Sequence, residues 1–277
     1  RNGKLVNPLL QPYILDASKI VSSPTREIAG IIFRNQAITE DLSQVEATKK
    51  ALAEEHIFFI QGPPGTGKTT VICEIIEQEL QRAPSSKILV VSQANVAVDN
   101  ILRKFINGQI SIIRCGSRID NEVKSYSFDA NLSEYKEKIR KKIDAYPADE
   151  LLSRWNEMVL ELEGVNPILG ELIIREKSLV GVTCVGLAAR GLGLERQEFD
   201  LVIIDEAGKA LPGELLIPYT KARKVILIGD HRQLPPTVHP ALISENHISD
   251  EEKEDREEEL FDISLFQRMY EKCPPSN

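Results

Sequence analysis

Aromatic residues make up only 5% of the 277 residues, with a single tryptophan. An extended stacking surface is therefore not expected. The four cysteines (Cys73, Cys115, Cys184 and Cys273) are widely scattered and form no Cys-x-x-Cys pair, which argues against a disulfide framework and against a cysteine-rich metal site. Cys73, Cys115 and Cys184 lie in apolar segments and read as reduced core residues of an intracellular protein, cytoplasmic or nuclear. No apolar run approaches the length of a bilayer span and no signal-peptide pattern opens the chain, so no membrane partner is expected. There is no internal repeat.

Positive charge is also in deficit, with a net charge of −8. Six of those negative charges fall in one run, "DEEKEDREEE" at 250–259, so the remainder is close to neutral. Such a run reads as a solvated loop. The global charge therefore does not exclude an anionic partner, because binding depends on local Lys and Arg placement. The chain starts at Arg1 rather than Met and closes on "CPPSN", and is expected to be a piece of a longer protein.

Hydrophobic residues reach 42% and charged residues 27%, an ordinary mixture able to bury a core. Short apolar runs read as strands: "IFFI" (57–60), "ILVVS" (88–92), "ISIIRC" (110–115), "LVGVTC" (179–184), "LVIID" (201–205) and "VILIG" (225–229). They are β-branched and lack clean alternation, as expected when both faces of a sheet are covered. Helical stretches between them, including 68–82 and 95–106, predict an α/β domain with a mostly parallel central sheet flanked by helices. Residues 119–178 break the rhythm. Leu132, Tyr135, Ile139 and Ile143, then Leu152, Trp155, Val159 and Leu162, recur at helical spacing, with Asp149 as a candidate N-cap and Gly164 as a candidate stop. Asn166-Pro167 can open a third helix. This predicts a helical insertion at 119–178, dividing the main domain into 38–118 and 179–277 after a loop-like lead segment at 1–37. Lys136, Arg140 and Lys141 on the insertion read either as a solvated face or as a contact with nucleic acid. The apolar tail "LFDISLFQRMY" (260–270) is expected to pack back on the sheet.

Residues 62–69, "GPPGTGKT", fit the phosphate-loop pattern in full, after a strand and before a helix. Gly62, Pro63, Pro64, Gly65, Thr66 and Gly67 form the loop, and Thr70 follows in the helix. Gly65 and Gly67 let backbone N–H groups converge on phosphate oxygens, and the helix N-terminus adds positive partial charge. Lys68 is placed to reach the β- and γ-phosphates of ATP, and Thr69 to hold Mg²⁺. The apolar run "LVIID" delivers Asp205 to a strand end as the second Mg²⁺ residue, and Glu206 is placed to activate the attacking water. The pair predicts hydrolysis rather than mere binding.

Three further stretches narrow the class. Before the phosphate loop, Gln44 opens an amphipathic segment with Val45, Thr48 and Leu52, and its amide suits the donor–acceptor edge of adenine. In "ILVVSQANVAVDNIL" a strand ends in Ser92, Gln93 and Asn95, and a helix then carries Asp99. In "VILIGDHRQLPP" a buried strand ends in a polar cluster and two prolines. Together these resemble superfamily 1 helicases, specifically the 5′→3′ branch that includes the nonsense-mediated-decay RNA helicase and DNA-acting relatives. The resemblance covers most of 38–270. It implies a RecA-like fold, adenine contact by Gln44, a γ-phosphate sensor at Gln233 supported by Asp230, and a single-stranded DNA or RNA path along Ser92, Asn95, Thr183, Pro235 and Pro236. Two departures stand out. Gln93 replaces a common proline. "DEAGKA" places Gly208-Lys209 where relatives often carry Ser or Ala and then Gln or Ser, which leaves local coupling to the Gln233 segment open.

In that family a second RecA-like domain closes over ATP and supplies arginines worth on the order of 10³–10⁵ in rate. No second α/β half follows here, so this stretch alone is expected to bind nucleotide weakly and hydrolyse it poorly. With few aromatics, strand binding is expected to rest on backbone contacts and to weaken with salt. No oligomer is required by this reading. A protein-remodelling ATPase of the AAA+ kind and a non-motor ATP-binding scaffold are the alternatives.

Overall fold

The computed structural model describes residues 5–15, 28, 30–146, 150–159, 167–189, 192–230 and 264–272. Among these, six strands form one sheet: β1 (Ile57–Gln61), β2 (Ile88–Ser92), β3 (Ile112–Arg114), β4 (Leu179–Thr183), β5 (Phe199–Ile204) and β6 (Ala222–Gly229). Their order is β1-β6-β5-β2-β4-β3 and every pairing is parallel. The helices are α1 (Gln11–Leu15), α2 (Gln36–Thr39), α3 (Leu42–Ala53), α4 (Lys68–Arg82), α5 (Asn95–Arg103), α6 (Phe128–Ala145), α7 (Glu150–Val159), α8 (Pro167–Arg175), α9 (Cys184–Ala188), α10 (Pro212–Tyr219) and α11 (Leu265–Lys272).

The continuous apolar runs have a direct cause. Successive side chains of a strand point to opposite faces, and here both faces carry a core. Ile88, Val90, Leu201, Ile203, Ile226 and Ile228 pack with α3, α4 and α5 on one face. Leu89, Val91, Val202, Ile204, Val225 and Leu227 pack with α8, α9, α10 and α11 on the other. Burial also pushes the Cys73, Cys115 and Cys184 thiols up to about 12; Cys115 and Cys184 are core residues, while Cys73 is half-buried against the core.

The strand at 110–115 is shorter than its apolar run suggests. Pairing starts at Ile112, after the turn around Asn107, whose φ is +59°. The helix expected to 106 ends at Arg103 for the same reason. The described parts of the lead segment hold regular elements as well as loop. Pro8–Leu10 forms a 3₁₀ turn that continues into α1, and Asn35 caps α2 by accepting from the Ala37 N–H at 3.0 Å. Residues 32–35 are fastened to α4 by buried Glu74, which accepts from the Arg34 and Asn35 N–H groups, and by Gln78, which donates to the Ile32 carbonyl and to Glu74.

Between β3 and β4, α6 and α7 pack on each other, with Ile139 buried and Leu132, Tyr135 and Trp155 half-buried against the core. Val123 and the α8 residues Leu169, Ile173 and Ile174 belong to the cores themselves. Asp149 and Gly164 lie outside the described residues. The described part of the tail, from Ser264, packs back as expected: Phe266 is buried and its ring lies 6.0 Å from that of Phe59. Among the described residues no helix is long and apolar enough to cross a membrane.

Candidate functional site

Parallel strands place all their C-terminal ends on one edge, where α/β sheets bind ligands. The phosphate loop leaves β1 there, and the Gly62 N–H donates to the Gly229 carbonyl at 3.1 Å, tying the loop to the end of β6. Gly67 caps α4 at φ +77°, a left-handed conformation, and a Cβ on it would stand 2.7 Å from the Gln44 amide nitrogen. The left-handed φ is what calls for glycine there; the Gln44 amide is the far end of a flexible side chain and could give way. Gly65 is also left-handed, at φ +80°. Thr66 Oγ1 donates to the Pro63 carbonyl, and Lys68 Nζ donates to the carbonyls of Gly62 at 2.6 Å and Pro63 at 2.9 Å. Thr69 and Thr70 fill the first turn of α4, half-buried.

Gln44 lies against this loop. Its Nε2 donates to the Thr66 carbonyl at 3.1 Å and to Asp41 Oδ2 at 3.2 Å. Asp41 is the N-cap of α3, accepting from Ser43 and Gln44, and its hydrogen bonds with Ser43 hold its carboxyl below the ordinary range. Sequence reasoning passed over Asp41, although an N-cap acid three residues before an amide is a recognisable helix-start signal.

Asp205 stands one residue beyond β5, and its N–H donates to the Val91 carbonyl at 2.8 Å. It is buried, and that burial pushes its carboxyl up. The neighbouring Glu206 N–H and the charges of Lys68 and Lys209 act in the opposite direction. Glu206 has φ +54°, rare for a residue with a side chain, and Lys209 Nζ lies 3.5 Å from its Oε1. Pro64, Lys68, Glu206, Gly208, Lys209, Gly229 and Asp230 line one pocket of about 150 Å³. A larger groove, of about 1000 Å³, lies at the other end of the sheet beside residues that precede β5 and β6, such as Arg196 and Lys221. It holds none of the candidate residues.

The second row of candidates lies along neighbouring strand ends. Ser92 and Thr183 are paired across β2 and β4. Ser92 is fully buried and its Oγ has no hydrogen-bond partner, so its hydroxyl does not face solvent. Thr183 is half-buried and caps α9, accepting from the Gly186 N–H at 3.0 Å. Asn95 is half-buried, and its side-chain oxygen accepts from Arg114 Nη2 at 2.7 Å. Arg114 is buried, with its Nε 2.6 Å from Asp99 Oδ1, while Asp99 Oδ2 accepts from the Asp120 N–H. This buried cluster was not foreseen. Beside Asn95 and Thr183, the apolar side chains of Val96 and Val185 are exposed. Gln233, Pro235, Pro236 and the acidic run lie outside the described residues. Among the described residues no group of three or more His, Cys, Asp or Glu side chains could hold a metal ion.

A family model described as an AAA domain, AAA_11, matches residues 40–161 and 134–241. The DNA-binding protein SMUBP-2 of Mesocricetus auratus is 36% identical over 244 residues, covering 80% of this chain and 24% of that protein. An uncharacterized ATP-dependent helicase of Methanocaldococcus jannaschii is 31% identical over 315 residues, 95% of this chain and 44% of its own. The ATP-dependent helicase upf1 of Schizosaccharomyces pombe is 31% identical over 206 residues, 71% of this chain and 22% of its own. The chain thus spans less than half the length of each of these relatives.

Proposed function

Because the chain belongs to the AAA_11 family and is a superfamily 1 helicase of the nonsense-mediated-decay-related group, we propose that it works as the first RecA-like motor domain of an ATP-dependent helicase or translocase. In this reading 38–118 and 179–277 form the motor, 119–178 is an insertion rooted on the sheet through α8, and 1–37 leads in. A second RecA-like domain completes the site, no oligomer is needed, and the protein works inside the cell, where ATP is. The strand it tracks is single-stranded DNA or RNA.

The observation that carries the reading is the gathering of Gln44, Lys68, Asp205 and Glu206 around the phosphate loop at one sheet edge. Lys68 would leave its loop carbonyls for the phosphates. Gln44, held by Thr66 and Asp41, presents its amide oxygen to adenine. Thr69 and Asp205 fit Mg²⁺: a hydroxyl in the first helical turn and a buried carboxyl whose charged form lacks enough compensation. The ion supplies charge neutralisation of the phosphates. Glu206 orients or activates the attacking water, and Gln233 senses the γ-phosphate.

On the strand side, Asn95 and Thr183 form the accessible polar contacts. Ser92 acts from beneath them. Pro235 and Pro236 continue the path. Backbone contact then dominates, and affinity falls with salt.

The deciding measurement is ATP turnover of the intact protein with and without single-stranded DNA or RNA. Strong stimulation is expected, and Glu206→Gln should abolish turnover while ATP binding persists. Turnover that survives in Glu206→Gln overturns the role of Glu206. Stimulation only by a protein substrate would favour a remodelling ATPase.

A further inference from the structure

The pocket at the phosphate loop contains a second cation that the helicase pattern does not call for. We infer that Lys209 is a positioning residue for Glu206, holding its carboxylate toward the pocket in which water attacks the γ-phosphate. The inference rests on the reading of Glu206 given above.

The geometry starts with the backbone. Glu206 sits at φ +54° and ψ +32°, and its own N–H is taken by Asp205 Oδ1 at 2.9 Å. The main chain is therefore pinned in a strained conformation. The side chain is not pinned in the same way: the contact that orients its carboxylate is Lys209 Nζ, 3.5 Å from Oε1. Lys209 in turn is carried on the 3₁₀ turn Ala207–Lys209, whose last N–H donates to the Glu206 carbonyl at 3.0 Å. That turn is docked closely on the end of β6. A Cβ on Gly229 would stand 2.8 Å from the Gly208 nitrogen, and one on Gly208 would stand 2.9 Å from the Asp230 carbonyl oxygen. The departure Gly208-Lys209 therefore acts as a unit. The glycine lets the turn seat on β6, and the lysine reaches back three residues to the carboxylate.

Lys209 also lines the same pocket as Lys68. Its ammonium brings a second positive charge into that pocket. A glutamine at this position could donate a hydrogen bond but could not supply that charge.

The test uses ATP turnover of the intact protein at saturating single-stranded nucleic acid. A tether acting through orientation should move kcat and leave KM nearly alone. Lys209→Met is expected to lower kcat roughly three- to five-fold, the upper end of the scale of a half-exposed ion pair, with KM for ATP within about two-fold. Lys209→Arg should restore most of the rate. Unchanged kcat in Lys209→Met, or a raised KM with kcat intact, overturns the inference, the latter by making Lys209 a ground-state phosphate contact. If Glu206→Gln is inactive and Lys209→Met is normal, only this inference fails. If Glu206→Gln turns over normally, the assignment of Glu206 fails first and this one with it.

Discussion

Removing the charge of Arg114 should be among the most damaging single changes in the chain. Arg114 is completely buried and makes three contacts: Asp99 at 2.6 Å, Asn95 at 2.7 Å and the Cys115 carbonyl. Arg114→Met roughly preserves the volume but leaves the buried Asp99 carboxylate with only the Asp120 N–H. Breaking a buried pair in this way costs about 3–5 kcal/mol. At about 2–4 °C per kcal/mol for a domain near this size, the melting temperature should fall by roughly 6–20 °C. Asp99→Leu should be similarly harmful, because it strands the guanidinium. The double variant Arg114→Met/Asp99→Leu buries no unpaired charge, and should recover at least half of the loss. Thermal unfolding of the four proteins decides the matter. A fall of under about 2 °C in Arg114→Met, or a double variant as unstable as the summed singles, would refute the reasoning.

Two further outcomes follow from buried charges. Burial raises the Asp205 carboxyl above its ordinary 3.8, so the folded state loses stability as pH rises through that value toward the folded one. Asp205→Asn should therefore raise the melting temperature at pH 7, give no gain below pH 3.8, and abolish Mg²⁺-dependent nucleotide binding. A variant that melts lower than the parent at pH 7 counts against this. Burial depresses Lys224, whose Nζ donates to the Leu52 carbonyl at 3.3 Å, from 10.5 to about 8. Folding stability should then rise with pH between 8 and 10.5, where the unfolded chain holds the proton and the folded chain does not. Lys224→Met should stabilise at pH 7, with the advantage gone by pH 10.5; an advantage independent of pH would disprove it.

The sheet was legible because its strands are buried on both faces and so read as unbroken apolar runs. The phosphate loop was legible because its chemistry is local: glycines, a lysine and a threonine within eight residues. Gln44 was singled out by its amide chemistry, and it lies beside the phosphate loop at Thr66. Contacts between distant segments were not legible. Nothing in "ISIIRC" says that Arg114 turns inward, because its partner Asp99 belongs to another element. Gln93 stands out in the sequence only as a replaced proline, yet it donates to Glu214, on α10, at 3.0 Å. Ser92 was chosen from its place at a strand end, and side-chain alternation then turned it into the core. Lys209 was visible as a departure, but its reach to Glu206 needed the 3₁₀ turn.

The strand order has a consequence for how the chain comes to be folded. Among the described residues β1 pairs only with β6, so Ile57 waits for Val225 and Gln61 waits for Gly229. The strand that launches the phosphate loop is synthesised early, while the partner that fixes it arrives after every other described strand. Contacts so distant in sequence are paid for in loop entropy before they return anything, and they form late. Chains interrupted before residue 229 would keep much of β2, β4 and β5 together yet have no anchored loop. The loop that follows β1 is thus fixed only once β6 has joined β5, late among the described strands.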